Sequence, residues 1–200
     1  MLTSALPYGY DELTDINTYD PEGAAKLLDD AGYKDIDGDG YRETPDGETL
    51  TLPVIIYVNR TEIPLMAEAI QINCGKIGIR IEIKAMEQAS VFNMLTAGEY
   101  DMLIMSITMA TAGDPENSLR SYFETYDAED PNYNAGGYSS EKVDSLLQEL
   151  SGEFDTDRQT GLIKEIQQTL LDDTACWNLC YPTINFGMKA NVDGFSEPSL

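Results

Sequence analysis

"GIRIEIKAMEQASVFNMLTAGEYDMLIMSIT", Gly78 to Thr108, carries three patterns in 31 residues. Ile79, Ile81 and Ile83 alternate with Arg80, Glu82 and Lys84, the period of a half-buried strand. The stretch from Ser90 to Ala97 reads as a short helix. "YDMLIMSIT" is then almost wholly apolar, as in a strand buried on both faces. Strand, helix and strand at this spacing favour parallel pairing through a helical crossover.

Upstream, "YDPEGAAKLLDDAGY" is a helix with Asp20 as N-cap, Pro21 at the first helical position and Gly32 near the stop. "TLTLPVIIYV", Thr49 to Val58, is a strand of branched residues in which Pro53 predicts an edge position or a bulge. Thr61 caps a helix whose Met66, Ile70, Cys74 and Ile77 share a face, with Gly78 ending it. Downstream, Asp114-Pro115 starts a short helix, and a polar loop follows from Tyr126 to Tyr138. Two amphipathic helices come next, one with Val143, Leu146, Leu147 and Leu150 as its stripe. The other carries Leu162, Ile163, Ile166 and Leu170 behind a capping box of Thr156 and Gln159. "CWNLCYPTINFGMKA", from Cys176, predicts a last strand. The expected fold class is α/β, a mixed, mostly parallel sheet flanked by helices, in a single domain over residues 1–200.

With 42% apolar residues, 200 residues can bury one substantial core. Twelve basic against 36 acidic residues leave a net charge of -24, which repels phosphate backbones and speaks against a nucleic-acid partner. There is no histidine. That removes the commonest general base and transition-metal ligand. No apolar run approaches the roughly 18 residues of a membrane span, and "MLTSALPYGY" lacks the basic start of a signal peptide. Cys176 and Cys180, if on a strand, lie about 13 Å apart, beyond disulfide reach; buried thiols are expected.

"DIDGDGYRETPD", Asp35 to Asp46, has calcium-loop spacing. Asp35, Asp37 and Asp39 take positions one, three and five, the Tyr41 carbonyl position seven, and Asp46 position twelve. Asp46 is shorter than the bidentate glutamate usual there, and a strand rather than a helix follows. The alternatives are a structural calcium that pins a surface loop and a solvated turn shaped by Asp and Gly.

Four stretches, "YDPEGAAKLLDDAGYKDIDGDG", "GIRIEIKAMEQASVFNMLTAGEYDMLIMS", "TAGDPENSLRSYF" and "NYNAGGYSSEKVDSLLQEL", together resemble the solute-binding proteins of peptide and nickel ABC importers, bacterial extracellular solute-binding protein family 5. The resemblance covers nearly the whole chain in family order. It implies a type II periplasmic-binding-protein-like lobe, the second of two, with the first lobe and the export signal on a longer parent chain. The implied setting is extracytoplasmic, in a periplasm or as a cell-surface lipoprotein. The implied partners are a peptide or other small solute, the first lobe, and the membrane subunits of an ABC importer, with no cofactor required.

The resemblance places this lobe's ligand contacts at the end of the apolar strand, on Thr108, Met109, Ala110, Thr111, Ala112, Gly113 and Asp114. Residue chemistry agrees: strand ends opening onto a helix form the crevice of an open α/β sheet, small residues admit a ligand closely, and threonines offer hydroxyls. Thr111 stands where peptide-binding members place an aspartate for a free amino group. Met109 stands where nickel-type members have an aromatic, and their histidine is missing. Read without the resemblance, the same stretch is a plain strand-to-helix connection. Two other functions stay in view: a calcium-stabilised adhesion module, which would need a second acidic loop, and a carboxylate-based hydrolase using Asp114 with Glu116 or Asp101. The hydrolase lacks any accompanying nucleophile or phosphate-binding motif.

Overall fold

A computed structural model describes residues 2–97, 100–110, 113–127, 129, 132–134, 136–183, 187–192 and 194. The chain forms two compact units: residues 18–107, continuous in sequence, and residues 1–17 with 108–200. Each has its own apolar core. Among the described residues, no helix is long and apolar enough to cross a membrane.

The continuous unit begins with α1, Pro21–Asp30, where the Asp20 side chain accepts the Gly23 N–H at 2.8 Å. Strand β1, Thr51–Tyr57, is central in the order β2-β1-β3, between β2, Arg80–Met86, and β3, Met102–Leu103. Both pairings are parallel. Helix α2, Glu62–Gly75, makes the crossover from β1 to β2, and α3, Gln88–Ala97, links β2 to β3. The core gathers Val54, Ile55, Ile56 and Tyr57 with Ile63, Ala67, Ile81, Val91 and Ile104. The expected alternation holds on β2: Ile81 is buried while Glu82 and Lys84 face out.

Pro53 does not sit at an edge. The Leu50 carbonyl accepts from Arg80 N–H and the Ile55 carbonyl from Ile104 N–H, so even positions of β1 address β2 and odd positions address β3. Pairing with β3 starts only at Val54. Pro53 therefore faces a flank with no partner strand among the described residues, and its missing N–H removes no ladder bond.

Arg42 ties the acidic loop down. Its Nε donates to the Ile77 carbonyl and its guanidinium to the Tyr33 carbonyl, both at 2.7 Å, and it pairs with Asp29.

The discontinuous unit is helical, with α4 at Glu116–Phe123, α5 at Glu141–Ser151 and α6 at Thr156–Asp172. Leu119, Phe123, Val143, Leu147, Leu150, Leu162, Ile163, Ile166 and Leu170 pack together, and Leu2 joins them. Gln167, fully buried on α6, holds the N-terminal segment there. Its Oε1 accepts the Leu2 N–H at 3.0 Å and its Nε2 donates to the Tyr8 carbonyl at 3.1 Å. The cap of α6 is Asp155, accepting from Arg158 N–H, one residue ahead of the expected Thr156.

Two expectations fail in the tail. Residues 176–183 form no strand, since the segment has no ladder partner among the described residues. Cys176 and Cys180 are consequently exposed instead of buried, and Trp177 is 74% exposed.

Candidate functional site

The stretch after Ile107 is fixed at both ends. The Ser118 hydroxyl on α4 donates to the Thr108 carbonyl at 3.2 Å, and the Tyr8 hydroxyl donates to the Gly113 carbonyl at 2.7 Å. Gly113 has φ +83°, a conformation that a side chain would strain. Met109 is half-buried against the helical core, and Pro115 is fully buried. Thr108 and Asp114 are exposed, with Ala110 and Gly113 intermediate. Thr111 and Ala112 lie outside the described residues.

Asp114 also serves the helix that follows: its Oδ1 accepts Glu116 N–H at 2.9 Å, and the acid of Glu116 stands 4.0 Å from Arg120. These carboxylates have structural partners. Tyr8 is the participant that sequence reasoning missed. Burial, and then the negative charge of Asp114, push its hydroxyl up from the ordinary tyrosine range, so it stays a donor to Gly113. No local pattern marks it, because 105 residues separate donor and acceptor.

The polar loop ahead of α5 closes on itself. Asn132 and Asn134 donate to the Glu124 carbonyl, and Asn134 also holds both main-chain groups of Tyr138. Tyr133 remains 56% exposed.

In the acidic loop, Asp35, Asp37 and Asp39 bring carboxylate oxygens within 4.8 Å of one another, all exposed; Asp46 is not in that group. Oxygen donors at this spacing suit calcium. The same carboxylates already serve the turn: Asp35 accepts from Gly38 and Gly40 N–H, Asp37 from Asp39 N–H, and Asp39 from Tyr41 N–H. Asp39 also pairs with Arg80 at 3.2 Å, whose guanidinium lies 4.2 Å from the Tyr41 ring centre.

A parallel sheet with crossover helices is an α/β architecture, and a loop anchored ahead of a helix follows it in the sequence. The model for bacterial extracellular solute-binding proteins, family 5, middle region, matches residues 1–130, and the chain belongs to that family. A dipeptide-binding protein of Pseudomonas aeruginosa is 28% identical over 191 residues, covering 94% of this chain and 33% of that protein. Among solved structures, a periplasmic oligopeptide-binding protein of Thermotoga maritima with bound mannohexaose superposes with a TM-score of 0.67 at 26% identity, over 79% of this chain and 30% of that one. NikZ from Campylobacter jejuni, in complex with Ni(L-His), gives 0.68 at 25% identity, over 84% and 33%. The chain spans about a third of the length of these relatives. These likenesses bear out the α/β fold expected from the sequence.

Proposed function

We propose that this chain is a ligand-binding lobe of an extracytoplasmic solute-binding protein that delivers a peptide or similar small solute to an ABC importer. Membership of the solute-binding family carries the reading. The loop Thr108–Asp114 is its ligand-facing element. Supporting this role, the loop is held by Ser118 and Tyr8 at its ends while exposing Thr108 and Asp114. Binding needs no chemistry: closure of two lobes buries the solute, and polar groups on both satisfy it. One lobe retains about half the contacts while the cost of association stays whole, so these 200 residues alone bind negligibly.

The test uses a chain carrying both lobes. Thr108→Trp is expected to weaken solute binding at least tenfold with an unchanged melting temperature, because the side chain is exposed. Unaltered affinity removes this loop from the site. A structural calcium on Asp35, Asp37 and Asp39 is a subsidiary proposal, favoured by the convergence of their oxygens. Calcium should raise the melting temperature, and Asp37→Asn should abolish that increase. Equal melting curves in calcium and chelator leave the loop a plain turn.

A further inference from the structure

A second site, separate from the loop above, lies in the discontinuous unit where the short 3-10 turn Tyr10–Glu12 faces the tail. Tyr10, Asp11, Leu13, Asp15, Leu171, Asn178 and Tyr181 line a pocket of about 320 Å³, within the size range of small-molecule sites. The Tyr10 and Tyr181 rings meet edge to face, 6.1 Å between centres at 80°, and are 38% and 40% exposed. Such a pair presents a ring face beside a ring edge.

The charged residues that line the pocket are acidic. Among the described residues, the lining includes two carboxylates and no basic residue. Lys164, whose stem approaches Gly9, pairs with Glu12. Burial raises the Tyr181 hydroxyl above the ordinary tyrosine range, and Tyr10, Cys176 and Asp15 push it the same way. An anion would meet Asp11 and Asp15, which are exposed, Asp15 accepting the Asn17 N–H at 2.8 Å, and a neutral apolar ligand would gain nothing from their charge. A cation over a tyrosine face is attracted by the ring quadrupole and by both carboxylates.

We propose that this pocket binds an organic cation, an alkylammonium or guanidinium group, between Tyr10, Tyr181 and the carboxylates of Asp11 and Asp15. Leu13 and Leu171 cover the alkyl part, and Asn178 offers an amide for a hydroxyl or amide on the ligand. The cation comes either from a free small molecule or from an arginine side chain, and the probes separate the two.

The test is an NMR titration of the full chain, following the Tyr10 and Tyr181 ring resonances. The probes are choline, N-acetyl-arginine amide, and 3,3-dimethylbutan-1-ol as choline's neutral isostere, with potassium chloride matching ionic strength. The proposal expects saturable shifts from a cationic probe, with the alcohol roughly tenfold weaker and the salt without effect. Tighter binding of choline assigns a free cation; tighter binding of the arginine amide assigns a side chain. Asp15→Asn and Tyr181→Leu should each weaken the preferred probe roughly five- to tenfold. The proposal falls if neither cation saturates, if the alcohol binds equally well, or if folded variants bind like the parent. The comparison with the neutral alcohol needs no variant, so misfolding of either one leaves the test intact.

Discussion

Gln167→Leu probes the attachment of the N-terminal segment to the helical unit. The substitution keeps roughly the side-chain volume and removes both hydrogen bonds. The Leu2 N–H is then left in a buried setting, and the Tyr8 carbonyl in a half-buried one. An orphaned buried group costs about 1–3 kcal/mol, and the second, partly wetted, costs less. The sum is about 2–4 kcal/mol, or a fall in melting temperature of roughly 5–15 °C for a chain of this size. Gln168→Leu is the control. It removes a similar pair of bonds, to the N–H and carbonyl of Thr14, where both can return to water, so about 1 kcal/mol or less is expected. Thermal unfolding gives the totals, and hydrogen exchange localises them to the amides of residues 2–8. A fall below about 2 °C with Leu2 exchange unchanged would refute the reasoning, as would equal losses from the two variants.

Asp155→Ala should cost about 1 kcal/mol by uncapping α6, whereas Thr156→Ala should be nearly silent; chemical denaturation of the two variants decides between neighbouring caps. The Tyr138 hydroxyl is pushed up to about 12 by burial and by its hydrogen bond to Asp173, with a bond from Ser140 opposing. The unfolded value is near 10. Folding therefore favours the neutral phenol, a contribution complete below about pH 10 and lost as pH passes through about 12. A tyrosinate titration should show several late-ionising residues, Tyr8 and Tyr181 among them, and lose one of these in Tyr138→Phe, and stability of that variant should fall less steeply across this window.

Much of the continuous unit was legible because each element declares itself locally. The alternation of Ile79, Ile81 and Ile83, the cap at Asp20 and the stop at Gly32 act over a few residues, and so the sequence shows them. Pro53 misled because propensity speaks of the strand alone, while its tolerance comes from where β3 begins, some 50 residues later. The apolar tail misled for the converse reason: a run rich in apolar and aromatic residues favours a strand, but a strand also needs a neighbour with free main-chain groups. At the loop Thr108–Asp114 the helix start was readable but the strand end was not: β3 stops at Leu103, five residues short of the Thr108 end of the apolar run. Nor was the clamp by Tyr8, since the contact joins distant segments with no periodic signature.

Residues 18–107 form one continuous unit, whereas its companion is assembled from residues 1–17 and 108–200. During synthesis these two arrangements have different histories. The continuous unit has all its partners once residue 107 leaves the ribosome, and local crossover contacts let it settle early. Leu2 must wait for Gln167, 165 residues behind it. Until then residues 2–8 are an apolar segment without its seat, available to chaperones or to misplaced contacts. Helix α6 is the one that retires it.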